Sequence, residues 1–561
     1  MQCYIRKATD SQAINKPFTF ALPPATMGYG EQRMTDRGFV LSLVAIVLVV
    51  AAGSVLDVME VDAAQYAGMS RDMLVRGDVL KLYFRGEDYL DKPPLLFWLS
   101  ALSFKVFGVH DWSYRLPSIL FALLGLFSTY RFAALYHGTT VARTATLFLG
   151  SSAAFFLMTN DVRCDTILMG SVITAIWLGC AWLEQGRSWQ LAGSAIAIAA
   201  GLLAKGPIGG LAPLIAVGCQ LLFTRDRRRL HDRRLITVPF LVVLLLLPMC
   251  IGLYQQHGVH GLRFYFWEQS FGRITGENRW KDDSSVFFFT HEVLWQLLPW
   301  TVFVLVGLWK NLRSLTQRQA IPEIASWVGA VLVFVALSLS HFKLPHYLYV
   351  IVPLLAVQGA IGFHSVGTRS AQWVHAVTML LLWCSILLLT WVTFPEGQWP
   401  FIALLGAMLI AAVVSIGRRG IAVALVSASF WVMIAVGLTL NVHFYPNLLR
   451  YQANAAAGRW AAEQVLGPGR FFGMQVSGSA LDYYAGYPVP WLSDAKEAQV
   501  VIAPGVVIYT DAEHRKQLVD AGLRPVTEVV FQNYSIQLLG LRFLRPHSRD
   551  EQLTPRYLLL Y

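Results

Sequence analysis

The chain has 561 residues, of which 55% are hydrophobic and only 14% are charged. Soluble domains carry about 25% charged residues, so this composition excludes an ordinary soluble protein. The formal net charge of +11 does not indicate nucleic-acid binding, because the basic residues cluster in short loops between apolar runs, as in membrane proteins.

The order of apolar and polar segments predicts a polytopic α-helical membrane protein. Residues 1–37 are polar and mixed in sign, and we expect them to form a cytoplasmic N-terminal segment before a first, retained span. Within residues 38–441 the apolar runs are long enough to cross a bilayer as helices. We predict thirteen spans, at 38–56, 115–136, 140–158, 163–184, 188–204, 207–223, 234–254, 288–309, 324–340, 345–365, 371–393, 400–416 and 419–441.

The positive-inside rule assigns a side to each loop. If the thirteen runs alternate, the six basic loops, of which 225–234 is the strongest, all fall on one side, which is the cytoplasm. A further apolar run, 95–108, would break this parity as a span. Because it is short and contains Ser100, Ser103 and Lys105, we expect it to lie in the membrane interface within the outer loop 57–114.

The opposite side then collects the segments that carry chemistry. They are the loop 57–114, the turn 160–165, the loop 255–283, the segment 340–346 and the tail from residue 442. The topology therefore predicts an external active site at the membrane surface.

The pattern of the tail, residues 442–561, predicts a small α/β domain on the outer side of the membrane. Helical patterns cover 450–466 and 512–521, and strand patterns cover 470–475, 500–502, 506–510, 527–532 and 535–544. The tail contains no glycine-rich phosphate loop and no nucleophile elbow. A structural or acceptor-docking role is therefore favoured over a second active site.

Three charged residues stand at the outer ends of apolar runs, and each has two interpretations. Asp62 can act as a base toward a hydroxyl, or simply cap the helix that it begins. Asp165 can belong to the site, or form a boundary ion pair with Arg163. Lys205 can bind an anion, or only extend its side chain toward the interface.

Two outer loops add further candidates. Arg273 lies in the aromatic-rich segment 265–281 and can bind a phosphate. Tyr347 follows Lys343 at another outer span end. These residue types suit the transfer of a sugar from a lipid phosphate carrier, in which cations hold the departing phosphate, a carboxylate activates the attacking hydroxyl and an apolar groove holds the lipid.

Three segments of the first half carry a family resemblance. They are the Asp62-x3-Tyr66-Ala motif, the segment 89–108, which reads YLDKPPLLFWLSALSFKVFG, and Arg115-Leu-Pro117. Together they resemble the membrane glycosyltransferases of the aminoarabinose transferase and protein O-mannosyltransferase group, which have the GT-C fold. The resemblance implies about thirteen spans, a polyprenyl-phosphate sugar donor and an active site on the outer face of the inner membrane, with the tail 442–561 as a periplasmic α/β domain.

The resemblance also implies roles for individual residues. Asp62 and Asp165 match the two essential aspartates of the group. Tyr89, Asp91 and Lys92 match its residues near the carrier phosphate and a divalent metal, with Asp91 standing where the group usually has Glu. Tyr347 matches a tyrosine that follows the later lysine of the group.

We therefore predict a glycosyltransferase that moves a sugar, 4-amino-4-deoxy-L-arabinose or a similar one, from polyprenyl phosphate to an acceptor. The acceptor is a hydroxyl or phosphate of lipid A, another glycan or a protein. We expect Asp62 and Asp165 to be catalytic, with Tyr89, Lys92, Lys205, Arg273 and Tyr347 binding the donor phosphate and Asp91 a candidate metal ligand. The alternative is a flippase or transporter of the lipid carrier. It would need charged residues along a path through the spans, which are nearly free of them.

Overall fold

A computed structural model describes residues 35–561 except 225–226, 270–271, 273–283, 366–368, 397–398, 419–420 and 477. The apolar part is helical. Its helices are α1 Asp36–Ser54, α2 Asp62–Arg76, α3 Leu95–Phe107, α4 Asp111–Gly150, α5 Ala153–Asn160, α6 Cys164–Gln185, α7 Ser188–Lys205, α8 Ile208–Thr224, α9 Arg227–Leu230, α10 Thr237–Arg263, α11 Phe288–Gln296, α12 Thr301–Thr316, α13 Ala330–Ser338, α14 Val352–Phe363, α15 Arg369–Leu388, α16 Trp399–Arg418 and α17 Ile421–Thr439. Short 3₁₀ or π turns adjoin several of them, at Arg233–Ile236, Phe264–Glu268, Ala325–Gly329, Pro345–Ile351, Leu389–Thr393 and Leu440–Phe444.

Several of these helices can cross a membrane. Among the described residues, seven segments are long and apolar enough: Asp36–Ser54, Asp111–Gly150, Cys164–Gln185, Arg233–Glu268, Pro345–Phe363, Gln372–Thr393 and Val426–Leu449. The pair α11 and α12, bent by 117°, makes an eighth if it is one broken span. The predicted class of polytopic helical membrane protein is thus confirmed. The count of thirteen stays a prediction, because α4 joins two of the predicted runs across a break at Gly138, and α8 is apolar but shorter.

Helix α6 is the centre of the bundle, with its whole apolar stretch buried inside the protein. Helices α4, α7 and α8 pack around it. Small residues permit the close approach: a Cβ added at Gly170 of α6 would lie 2.2 Å from the backbone oxygen of Phe121 in α4. This packing fixes the position of the first turn of α6, which contains Asp165.

The loop between α1 and α4 contains two helices and a hairpin. Helix α2 follows α1, and the antiparallel strands β1 Tyr83–Phe84 and β2 Glu87–Asp88 lie between α2 and α3. The predicted short helix at 95–108 is confirmed as α3. Its exposed apolar side chains include Leu102 and Val106, as expected of a helix that lies against lipid.

The C-terminal region contains a five-stranded sheet flanked by helices. Its elements are α18 Tyr445–Leu449, α19 Ala453–Glu463, β3 Phe471–Met474, α20 Ser479–Ala485, β4 Trp491–Leu492, α21 Ala495–Val501, β5 Val507–Asp511, α22 Ala512–Asp520, β6 Thr527–Asn533, α23 Leu541–Leu544, α24 Pro546–Arg549 and β7 Thr554–Leu560. The strand order is β4-β3-β5-β7-β6; β3 pairs in parallel with β4 and β5, and β7 pairs antiparallel with β5 and β6.

Two of the predicted strands in this region are wrong. Residues 500–502 include the end of α21, and the segment 535–544 forms a turn and the helix α23 rather than a strand. In the first case Val501, at the end of the helix, and Ile502, just after it, pack against the sheet, whereas Val500 is exposed. In the second, Ile536 and Phe543 are buried against the ends of membrane helices, so the segment needs no strand partner.

The C-terminal region packs on α2 and so helps to position the site. The guanidinium of Arg71 in α2 donates to the backbone oxygen of Asp482 over 2.7 Å, and Arg85 forms an ion pair of 2.6 Å with the Asp482 carboxylate. Closer to the site, the Glu60 carboxylate accepts hydrogen bonds from Asn454 (3.0 Å) and from the backbone of Ala480 (3.2 Å). Residue 60 is thereby fixed two positions before Asp62.

Candidate active site

The charged candidates converge because they occupy helix ends at the same end of the bundle. Asp62 is the first residue of α2, Asp165 the second residue of α6 and Lys205 the last residue of α7. A carboxylate at a helix N-terminus and a cation at a C-terminus both complement the helix dipole. These ends, together with the loop before α3 and the turn before α14, enclose a cavity.

The wall of the cavity combines charged, polar and apolar groups. Its lining residues are Asp62, Tyr66, Lys92, Pro93, Arg163, Cys164, Asp165, Leu168, Lys205, Pro207, Ile208, Leu211, Gln269, Ala336, Leu337, Ser340, Leu344, His346 and Tyr347. The apolar members come chiefly from α6, α8 and α13. The cavity therefore offers an anion-binding end next to a surface that suits hydrocarbon.

Asp165 and Lys205 form an ion pair at the base of the cavity. The Asp165 side chain is only 4% exposed. Its other oxygen lies 3.8 Å from His346 Nε2, and the Lys205 ammonium lies 4.0 Å from the centre of the Tyr347 ring. Asp165 is thus neutralised by Lys205, and the boundary pair with Arg163 that the sequence left open is not formed.

Arg163 pairs with two other carboxylates. Its guanidinium contacts Asp62 over 2.6 Å and Asp161 over 2.7 Å. Burial lowers the pKa of Arg163, but the two aspartates outweigh burial and raise it above its ordinary value, so the residue stays charged. Asp62 is also 40% exposed, which leaves it reachable from the cavity. Asp62 is the first residue of α2, and Val61 occupies the N-cap position, so Asp62 is not the N-cap of this helix.

Lys92 supplies a third cation. Its ammonium lies 2.6 Å from the Asp91 carboxylate. Burial lowers the pKa of Lys92, but Asp91 outweighs burial, and the net pKa is above the ordinary value. The Gln269 side chain donates to the backbone oxygen of Asp91 and so connects the loop to the turn that follows α10.

Two predicted residues lie behind the cavity wall rather than in it. Tyr89 packs edge-on against the Phe97 ring at 6.3 Å, and the lining residue Tyr66 packs edge-on against the same ring at 5.6 Å. Asp91 does not line the cavity either, and reaches it through Lys92. Arg273 lies outside the described residues.

A divalent metal at Asp91 does not fit the side chains that the structure describes. The Asp91 carboxylate is engaged by Lys92. Over the described part of the chain, no three His, Cys, Asp or Glu side chains cluster as metal ligands.

The structure adds three residues that sequence reasoning did not place in the site: Arg163, His346 and Gln269. Arg163 was considered only as a partner of Asp165. His346 directly precedes Tyr347, at the end of the outer segment 340–346, and its neighbours do not have the spacing of metal ligands. The position of Gln269 depends on the break in α10 at Gly258 (φ +60°) and the turn Phe264–Glu268, which no local pattern indicates.

The arrangement is suited to holding an anion. Lys92, Lys205 and Arg163 all line the cavity, and each is held by at least one carboxylate. Fixed cations in a partly water-excluded site stabilise developing negative charge without reorganisation. Asp62 stands at the same cavity with a partly exposed carboxylate, so proton transfer to it is geometrically feasible.

Comparisons with known proteins agree with the resemblance. Residues 91–252 match the family described as dolichyl-phosphate-mannose-protein mannosyltransferase. The undecaprenyl phosphate-alpha-4-amino-4-deoxy-L-arabinose arabinosyl transferase of Pseudomonas aeruginosa (strain UCBPP-PA14) is 26% identical over 307 residues, 53% of this chain and 54% of that protein. The match thus spans about half the length of that relative. An uncharacterised protein of Aquifex aeolicus (strain VF5) is 27% identical over 344 residues, 61% of this chain and 76% of that protein.

The fold is shared over nearly the whole chain. The crystal structure of ArnT from Cupriavidus metallidurans bound to undecaprenyl phosphate superposes with a TM-score of 0.69 at 19% identity, covering 93% of this chain and 98% of ArnT. Its apo structure gives a TM-score of 0.66 at 20% identity, covering 88% and 96%. The resemblance to the aminoarabinose transferase and protein O-mannosyltransferase group, and with it the GT-C fold, is confirmed.

Proposed function

We propose that this chain is a polyprenyl-phosphate-sugar-dependent glycosyltransferase. It acts at the outer face of the inner membrane, with its N-terminus in the cytoplasm and its C-terminal region in the periplasm. The family match, the aminoarabinosyl relative and the shared fold support this class of enzyme. The donor sugar is 4-amino-4-deoxy-L-arabinose or a similar sugar, and the acceptor is a hydroxyl or phosphate of lipid A, a glycan or a protein.

One observation carries the proposal: three cations and two aspartates line the same cavity as a set of apolar side chains. A lipid phosphate has the same two parts, an anionic head and a hydrocarbon tail. Lys92 and Lys205 bind the phosphate head, together with Arg273. Leu168, Leu211 and Leu337 are positioned to contact the first part of the tail.

The two aspartates differ in ways that separate their roles. Asp165 is almost fully buried and neutralised by Lys205, so it orients that cation. Asp62 shares its single cation, Arg163, with Asp161 and remains partly exposed. Asp62 is therefore the better proton acceptor.

The proposed reaction is a single displacement. The acceptor oxygen attacks the anomeric carbon of the sugar while its proton passes to Asp62. The bond between that carbon and the phosphate oxygen breaks, and the electron pair leaves with the polyprenyl phosphate, whose charge Lys92 and Lys205 stabilise. The Tyr347 ring supports Lys205 by contact with its ammonium. One base with a good leaving group requires no second nucleophilic carboxylate.

The test is turnover by the purified protein in lipid nanodiscs. The protein is incubated with polyprenyl phosphates that carry different sugars and with lipid A as acceptor, and released polyprenyl phosphate and glycosylated acceptor are measured. We expect stoichiometric formation of both products with at least one donor. If no donor is consumed, yet the protein in liposomes moves the intact lipid carrier between leaflets, the transferase proposal is wrong and the transporter alternative replaces it.

A further inference from the structure

A segment of the C-terminal region, residues 534–549, combines exposed leucines with basic residues. It reads YSIQLLGLRFLRPHSR and contains no acidic residue. Leu538 is 76% exposed and Leu541 73% exposed, with Leu539 beside them. Arg542 and Arg545 are also exposed. We call Leu538–Leu541 the leucine tip.

The leucine tip is held in place rather than loosely extended. The Tyr534 hydroxyl donates to the backbone oxygen of Leu538 over 2.6 Å and accepts from the backbone N–H of Gly540 over 3.0 Å. The Tyr534 ring stacks on Phe543 with centroids 3.8 Å apart. One tyrosine therefore closes the turn and leaves the leucines outside it.

The base of the segment is attached to the end of a membrane-spanning segment. Arg549 donates to the backbone oxygen of Thr393 and lies 4.5 Å from the Phe394 ring centre. Thr393 ends the apolar segment Gln372–Thr393. Trp391 is exposed just before that end, in the position of an interfacial aromatic belt. The leucine tip is thus placed near the level at which that segment leaves the bilayer.

We propose that the leucine tip inserts into the leaflet beside it and that Arg542 and Arg545 bind the phosphates of anionic lipid headgroups. Apolar side chains flanked by arginines are the chemistry of peripheral membrane anchors. A contiguous set of exposed leucines is otherwise a liability for a region surrounded by water. The charge of the segment favours an anionic lipid surface as the occupant rather than a second, equally basic copy of the segment.

Insertion would also brace the active site. Ile536 and Phe543 share an apolar cluster with Leu56 and with Met59, which lies three residues before Asp62. The segment that holds the leucine tip and the residues just before α2 therefore belong to one apolar cluster. The inference does not depend on which sugar or acceptor the site uses.

The test measures protection of a cysteine at the tip. Leu538→Cys and Val500→Cys are each reconstituted as single copies in anionic nanodiscs and treated with a membrane-impermeant maleimide, with the parent protein as the blank for its own cysteines. Val500 is the matched control because it is 85% exposed on α21, away from the apolar cluster that holds the tip. We expect the thiol introduced by Leu538→Cys to react at least about tenfold more slowly than the thiol introduced by Val500→Cys.

The charge requirement is tested in the same assay. Arg542→Gln with Arg545→Gln should speed labelling of Leu538→Cys in anionic nanodiscs and have little effect in zwitterionic ones. Labelling of Leu538→Cys as fast as that of Val500→Cys overturns the insertion. Protection that is equal in both lipids and insensitive to the two arginine substitutions overturns anionic lipid as the partner. Since each disc holds one copy, contact with a second copy cannot account for protection.

Discussion

Removing the cation of the Asp165–Lys205 pair should destabilise the fold far more than the loss of an exposed lysine. Lys205→Met leaves the Asp165 carboxylate, 4% exposed, with His346 at 3.8 Å as its remaining nearby partner. Breaking a buried pair by removing one partner costs about 3–5 kcal/mol, and we expect about 3 kcal/mol here because water in the cavity reaches the site. Replacing both residues, as Lys205→Met with Asp165→Asn, should recover about 2 kcal/mol of that loss.

The assay is a double-mutant cycle on the free energy of unfolding in mixed detergent micelles. Lys105→Met is the matched control, since Lys105 is an exposed lysine at the end of α3, and its effect should stay within about 0.5 kcal/mol. A coupling energy between residues 165 and 205 below about 0.5 kcal/mol would mean that the pair behaves as a screened surface pair. That result would refute the buried, mutually neutralised arrangement from which the role of Asp165 is argued.

Three further changes test separate parts of the structure. Asp91→Asn should lower the pKa of Lys92, because burial then disfavours the charged ammonium and no carboxylate compensates. The alkaline limb of the profile of kcat/KM against pH should therefore move to lower pH. An unmoved limb would contradict this coupling. Burial raises the pKa of Glu60, so ionisation of this residue destabilises the folded state as the pH rises. The free energy of unfolding of Glu60→Gln, relative to that of wild type, should therefore increase between about pH 4 and 7. A difference that stays constant with pH would contradict the prediction. Gly209→Ala adds a methyl group that would clash with the backbone of α7 at Gly201, and it should lower the free energy of unfolding by about 1–3 kcal/mol. Gly218→Ala, also on α8, is the control, because its methyl group meets no atom within 4 Å and causes no clash. Equal effects of the two substitutions would argue against the close contact between α7 and α8 next to the site.

The sequence predicted which segments meet, because topology depends on features that are local. Apolar runs and basic loops placed Asp62, Lys92, Asp165 and Lys205 on the same side of the membrane, and the structure brings these four residues together around one cavity. Helix α3 was likewise predicted from its length and its polar residues.

Pairing within the site could not be predicted in the same way. The partner of Asp165 is Lys205 rather than Arg163. This pairing depends on how the end of α7 packs against the start of α6, which the spacing of residues in the sequence does not reveal. The strand β7, Thr554–Leu560, was missed for a related reason: it joins the sheet between β5 and β6, and such long-range pairing leaves little trace in a short apolar run.

The most direct test of the central claim compares two carboxylates that share one cation. Asp62 and Asp161 both pair with Arg163, but only Asp62 lines the cavity. Sugar transfer from polyprenyl phosphate is measured for Asp62→Asn and Asp161→Asn in nanodiscs, with folding checked for each. We predict that Asp62→Asn lowers kcat by about 10²-fold or more. Asp161→Asn should retain activity within a few-fold of wild type. Equal activity of the two variants would contradict the assignment of Asp62 as the base.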